Sequence, residues 1–173
     1  SFVKALSGTA AVSLESKALI KALANLPEYH AELYMSSKFG DSLQSHAHMS
    51  IPNTVKIVEW VSDEDLLQRY HHARFVAVPL EDTTHSGAGI NAVLEGSALG
   101  KAVIATNTGG MRTFVKDGET GILVPPGDAD AWVDAIRLLW TQPELANRMG
   151  QAGRLYIEER FSPAKVGSKI ESL

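Results

Sequence analysis

The chain contains no cysteine. That excludes disulfide staples, thiol nucleophiles and cysteine-ligated metals at once. Long apolar runs are also missing, and nothing approaches the roughly 18 consecutive apolar residues that cross a bilayer. There is no excess of basic charge: the net charge is −4, with no cluster of Lys and Arg. Such a surface argues against a nucleic-acid partner. The opening Ser-Phe-Val-Lys-Ala-Leu-Ser-Gly lacks the layout of a signal peptide. Aromatic residues make up only 7%, and Trp132 and Trp140 fall on a helix pattern where core packing explains them.

What is present fits one domain. The 173 residues, 45% of them apolar and 21% charged, can bury a sizeable core. Short β-branched runs alternate with helical patterns, the signature of βαβ units around a parallel sheet. The predicted strands are Glu32–Met35, Val55–Trp60, Phe75–Pro79, Ala102–Thr106 and Gly121–Val124. A domain of this type opens on a strand, and Phe2–Leu6 is the segment available for it; Gly8 and the small residues after it read as a loop. The predicted helices are Glu15–Leu26, Asp63–His72 behind the N-cap Ser62, Ile90–Leu99 and Ala129–Trp140. Pro143 and Pro163 each suit the first turn of a further helix. The expectation is a single doubly wound α/β domain spanning residues 1–173.

The chemistry concentrates between Ser86 and Gly127. Gly87-Ala-Gly89-Ile-Asn91 opens a helix after the Phe75–Pro79 strand, and the first amides of a helix have no internal partners and attract phosphate. Asn91 and Glu95, four apart, share a helix face, with Asn91 expected in the first turn. Phosphates resting on the Gly87–Asn91 backbone would offer ribose hydroxyls to the Glu95 carboxylate. Without a ligand, Glu95 is simply a solvated helix residue. Loops leaving the same sheet edge add Thr83, Thr84, His85 and Ser86, and the Gly109-Gly110 pair. His46 and His48 alternate as strand ligands do, but two imidazoles lack a third partner, so no metal is expected. Gly87-Ala-Gly89-Ile-Asn-Ala92 also fits the dinucleotide fingerprint G-x-G-x-x-A. The long loop before it and the absence of an acid after the next strand count against a nicotinamide-dependent oxidoreductase.

These residues resemble the carboxyl-terminal, donor-binding domain of GT-B-fold retaining glycosyltransferases of the group 1 type. The likeness runs collinearly over about residues 15–162. Trp60-Val-Ser-Asp-Glu-Asp-Leu-Leu-Gln-Arg-Tyr70 is similar to "G-x-V-x-x-x-x-L-x-x-x-Y", and His72-Ala-Arg-Phe-Val-Ala-Val-Pro79 to "x-A-D-V-F-V-x-P". Leu94-Glu95-Gly-Ser-Ala-Leu-Gly100-Lys-Ala-Val-Ile-Ala-Thr106 resembles "L-E-A-M-A-x-G-x-P-V-I-A-T". Val115 to Asp128 matches "V-x-D-G-x-T-G-x-L-V-P-P-G-D" almost throughout.

The resemblance implies a three-layer Rossmann-like half of a GT-B fold that binds a nucleoside-diphosphate sugar. It implies that Glu95 holds the ribose, that backbone around Gly89, Ile90 and Asn91 holds the pyrophosphate with Gly87 nearby in the donor site, and that the base sits near the Glu59–Ser62 loop, at Val61. Ser86, His85 and Gly110 complete the expected donor site. No metal or other cofactor is implied. The carbohydrate, lipid or other acceptor would bind an amino-terminal domain absent from this chain, so the chain alone is expected to be inactive. A cytoplasmic location follows, peripheral at the membrane in a full-length enzyme.

Three positions depart from the family pattern. Gly87 stands where a glutamate usually contacts the donor sugar, and Thr113 replaces another glutamate after the paired glycines. Of an arginine and lysine five apart, Lys17 is the candidate lysine and catalytic cation, while the arginine position falls near Val12. These losses keep a non-catalytic nucleotide-sugar-binding or sensor module as an alternative.

Overall fold

A computed structural model describes residues 2–6, 13–34, 50–58, 61–81 and 87–161, with the backbone alone at 2–6, 87 and 88. In chain order the elements are β1 (Phe2–Leu6), α1 (Leu14–Ala24), β2 (His30–Tyr34), β3 (Val55–Val58), α2 (Asp63–His72) and β4 (Ala73–Val78). Then follow α3 (Gly87–Ala98), β5 (Ala102–Thr106), a 3-10 turn (Met111–Thr113), β6 (Gly121–Val124), α4 (Ala129–Thr141) and α5 (Pro143–Phe161). The six strands form one parallel sheet in the order β3-β2-β1-β4-β5-β6.

Alternation along the strands builds a core on each face of the sheet. Ala31, Leu33, Phe75, Ala77, Ala102 and Ile104 pack with Leu19 and Leu23 of α1 and Trp132 and Ile136 of α4. Val76, Val78, Val103 and Ala105 face the other way, against Tyr70 of α2 and Ala92 and Val93 of α3. Every residue of β5 is buried, as is all of β4 except Arg74, which is why both read as unbroken apolar runs. The expected core role of Trp132 holds, and Trp140 stacks on Tyr29 at 4.5 Å with the Arg74 guanidinium 4.6 Å from its ring.

Most element ends fall where local chemistry puts them. Ser13, Ser62 and Asp128 cap α1, α2 and α4 through their side chains. α5 begins at Pro143 as expected; the second expected start, at Pro163, lies outside the described residues, as does the loop at Gly8. β1 occupies the expected segment and is central, between β2 and β4. Differences come from ladder pairing: β2 starts at His30, not Glu32, because His30 pairs with Phe2. β4 starts at Ala73, directly after α2, and ends before Pro79, which has no N–H to donate. α3 starts at Gly87, three residues ahead of the apolar stripe, because a first turn needs no buried side chains.

Candidate functional site

In a parallel sheet, the helix after each strand begins at the strand's carboxyl edge, and a crevice opens where the strand order reverses. Here that reversal lies between β1 and β4. α1 packs on one face and α3 on the other. The start of α1 meets the exit of β4: the Leu14 N–H donates to Glu81 Oε1 at 3.2 Å, and Glu81 lies just beyond that strand.

The mouth of α3 is made by glycine. A Cβ at residue 89 would lie 2.6 Å from Leu80 Cδ1, so glycine lets the helix start rest closely against the end of the Leu80 side chain. The first turn carries neither an acidic nor a basic side chain. Its leading amides therefore carry the positive end of the helix dipole with no charge on that turn to offset it. Ile90 is half-buried and packs on the Val93 core, while Asn91 and Glu95 are both exposed on one face. The longer helix changes one expectation: Asn91 lies in the second turn, and Glu95 stands about 12 Å along the axis from Gly87 at 1.5 Å per residue. A ligand that touches both the mouth and Glu95 must lie along this face.

The Glu95 carboxylate is held. Tyr70, buried near the end of α2, donates its hydroxyl to Glu95 Oε2 at 2.7 Å. Among the described residues this is the only hydrogen bond to Glu95, which leaves Oε1 open. Burial, and then the bond to Glu95, push the Tyr70 phenol far above its usual range, so it remains a donor. Beside it, Arg69 Nη1 lies 2.9 Å from both carboxylate oxygens of Glu32, and Tyr34 donates to Glu32 Oε2 at 2.6 Å. This group pins the last turn of α2 to β2.

The other sequence candidates are spread around the carboxyl edge. Val61 is half-buried immediately before the N-cap of α2. Gly110 begins the turn after β5, and neither it nor Gly109 has any atom within 4 Å of a would-be Cβ, so that loop borders open space. Lys17 is exposed on α1 and lines a groove of about 570 Å³ with Leu14, Lys21, Gly127, Asp128 and Asp130. That groove lies on the α1–α4 face of the sheet, not the face that carries Glu95. His85, Ser86, Thr83, Thr84, His46, His48 and Val12 lie outside the described residues. Among the described residues there is no cluster of three or more potential metal ligands, and no helix long and apolar enough to cross a membrane.

Sequence reasoning missed Tyr70 and Glu15. Tyr70 had a signal, since a tyrosine on a helix that covers a sheet must find a partner for its hydroxyl. Glu15 had none, because an acid in the first turn of a helix reads as an ordinary dipole complement.

With this geometry in view, the comparisons are specific. Residues 15–156 match the family model described as glycosyl transferases group 1. The protein EpsD of Bacillus subtilis (strain 168) is 30% identical over 158 residues, which cover 91% of this chain and 41% of EpsD. Among solved structures, the C-terminal domain of a glycosyl transferase group 1 family protein from Francisella tularensis superposes with a TM-score of 0.70 at 17% identity, covering 94% of this chain and 87% of that one. The Anabaena protein HepE, solved with UDP and glucose, gives a TM-score of 0.78 at 21% identity, covering 99% of this chain and 48% of that one. The chain belongs to the glycosyl transferases group 1 family, and its sheet and flanking helices are the Rossmann-like half of a GT-B fold. It spans less than half the length of EpsD.

Proposed function

We propose that this chain is the donor-binding domain of a retaining hexosyltransferase that moves a sugar from a nucleoside-diphosphate sugar to an acceptor held by a second domain. On this reading the chain binds the donor but does not transfer it alone. The observation that carries the reading is the exposed Asn91–Glu95 face of α3, which leads from the glycine-lined start of the helix to a tethered carboxylate with one oxygen open among the described residues. The diphosphate rests on the amides of Gly87, Gly89 and Ile90, and the ribose reaches Glu95. The HepE complex with UDP and glucose supports a nucleoside diphosphate as the ligand class.

Chemistry at the departing diphosphate falls to fixed dipoles. As the glycosidic bond breaks, negative charge grows on the diphosphate oxygens, and amides already aimed at them stabilise that charge without reorganising. Gly87 brings the backbone close but supplies no carboxylate to the sugar. Lys17 is the candidate cation for the leaving group. His85, Ser86, Val61 and Gly110 complete the proposed donor contacts.

One observation favours the second reading, a binding module without catalysis. Two carboxylates meet the start of α1: Glu81, just after β4, accepts the Leu14 amide, and Glu15 is buried in the first turn of the helix. Near this helix start, at residues 12 and 17, the family resemblance leads one to expect an arginine and a lysine, and residue 12 is valine.

Calorimetric titration of the chain with UDP, GDP and ADP tests the shared step. At least one should bind, and Glu95→Ala should weaken it roughly tenfold, the worth of a charge-assisted hydrogen bond. If none binds, or NAD binds more tightly, the reading fails. Lys17→Ala separates the two functional readings in the longer enzyme: a leaving-group cation lowers turnover when removed, and a bystander does not.

A further inference from the structure

A glutamate on an exposed helix face ordinarily samples several rotamers, and a ligand that needs one of them must freeze it. Glu95 is different. A buried phenol on the neighbouring helix donates to Oε2 at 2.7 Å, and the turn that carries the phenol is itself fixed. Arg69, next in sequence, binds both oxygens of Glu32, and the Tyr34 hydroxyl donates to the same carboxylate. The chain from β2 through α2 to Glu95 is thus continuous and largely buried, with Glu32 and Tyr34 at 7% and 8% exposure and Tyr70 at 2%.

This arrangement constrains what the carboxylate can recognise. Each carboxylate oxygen accepts up to two hydrogen bonds. Oε2 takes one from Tyr70 and keeps one site, while Oε1 is open. Held in this plane, the two oxygens match a pair of hydroxyls on adjacent carbons. A ligand that lacks one of the pair leaves an aligned acceptor unmatched, and sites built around a hydroxyl discriminate strongly against its absence.

We propose that Tyr70 is a positioning residue that sets the Glu95 carboxylate to read a vicinal diol, so that this site selects ribo- over 2′-deoxyribonucleoside diphosphates. The inference rests on the donor-binding reading above and adds to it the source of sugar selectivity. Tyr70 makes no contact with the ligand; it acts through Glu95.

The test measures the affinities of the chain for UDP and 2′-deoxy-UDP, with GDP and 2′-deoxy-GDP as a second pair. The unsubstituted chain should favour the ribo compound about tenfold, the worth of one hydroxyl on a charged acceptor. Tyr70→Phe keeps the ring and removes the donor. It should bring the ratio close to one while affinity for the deoxy compound stays within about twofold. Adding Tyr70→Phe to Glu95→Ala should change nothing further, because the path it uses is already gone. Circular dichroism checks the fold of the Phe variant. Glu95→Asp tests the same geometry without touching the buried ring: the charge remains, the carboxylate draws back from Tyr70, and the ratio should collapse there too.

The proposal is overturned if Tyr70→Phe keeps the ratio, lowers both affinities equally, or weakens the Glu95→Ala variant further. A retained ratio in Glu95→Asp overturns it as well. Failure of the unsubstituted chain to bind any of the four nucleotides is a different result, and removes the donor-binding reading itself.

Discussion

Glu15 Oε1 accepts the backbone N–H of Gly127 at 2.9 Å across 112 residues of sequence. The other oxygen accepts from Thr106 Oγ1 at 3.1 Å, and Thr106 Oγ1 in turn accepts the Leu80 N–H at 3.1 Å. One carboxylate at 2% exposure thus joins the start of α1 to the exits of β4, β5 and β6. Removing it orphans a buried hydroxyl and a backbone amide. Glu15→Ala should therefore cost about 2–3 kcal/mol, whereas Glu15→Gln, whose amide oxygen still accepts one bond, should cost less. Urea midpoints at constant m-value measure both, and equal effects would show that the carboxylate is not the tie.

Two glycines make a paired test of packing. Gly150 of α5 lies against the Gly100 carbonyl, and a Cβ there would overlap that backbone oxygen and crowd the Ala102 nitrogen. Backbone cannot rotate aside as a side chain can, so Gly150→Ala should lift α5 from the sheet and cost about 1–3 kcal/mol or more. Gly109 meets nothing within 4 Å, and Gly109→Ala should stay within about 0.5 kcal/mol of the unsubstituted chain. Similar melting shifts for the two variants would contradict the packing of α5.

Acid should loosen the α2–β2 tie. Burial works to raise the Glu32 carboxyl, but the Tyr34 hydroxyl and the Arg69 guanidinium outweigh it and hold it below its ordinary value of 4.5. The folded chain therefore keeps Glu32 ionised at pH values where the unfolded chain protonates it. Its contribution to stability is complete above pH 4.5 and fades as the pH falls through the lowered folded value. Since other carboxylates titrate in the same window, the informative quantity is the stability difference between the unsubstituted chain and Glu32→Gln. That difference should shrink as the pH drops from 7 to 3, and a pH-independent difference would contradict the assignment.

How much of this was legible in the sequence depends on the range of the interaction. β5 and β6 lie where their β-branched runs end, and α2 keeps both expected boundaries because Ser62 and the following acids are local signals. β2 and β4 shifted because their ends are decided by partners far away in the chain, such as Phe2 opposite His30. The shared face of Asn91 and Glu95 followed from helical period alone. Their depth did not, since two glycines disguised the first turn of α3 as loop. Tyr70 and Glu15 act across 25 and 91 or more residues, and no pattern within one element encodes such a meeting. Lys17 is assigned to the diphosphate by the family resemblance alone; on α1 it lines the groove shared with Asp128 and Asp130, a meeting that no local pattern encodes.

The contact between Gly89 and Leu80 yields the last prediction. Leu80 cannot slide away, because its N–H is held by Thr106, and its side chain, buried in the core beside Val76 and Val93, turns only in part. A methyl at residue 89, 2.6 Å from Leu80 Cδ1, should thus displace the helix start more than it destabilises the fold. Gly89→Ala should cost about 1 kcal/mol in stability, yet weaken nucleoside-diphosphate binding, since amides aimed at charge lose strength steeply with misalignment. Because Glu95 lies farther along α3, the preference for ribo over deoxy ligands should survive. Leu80→Ala vacates the space, so the double variant should regain affinity relative to Gly89→Ala alone, a non-additivity expected only of residues in contact. Calorimetry on the four proteins decides it. Additive losses would mean that Gly89 affects the ligand by some route other than the position of the helix mouth.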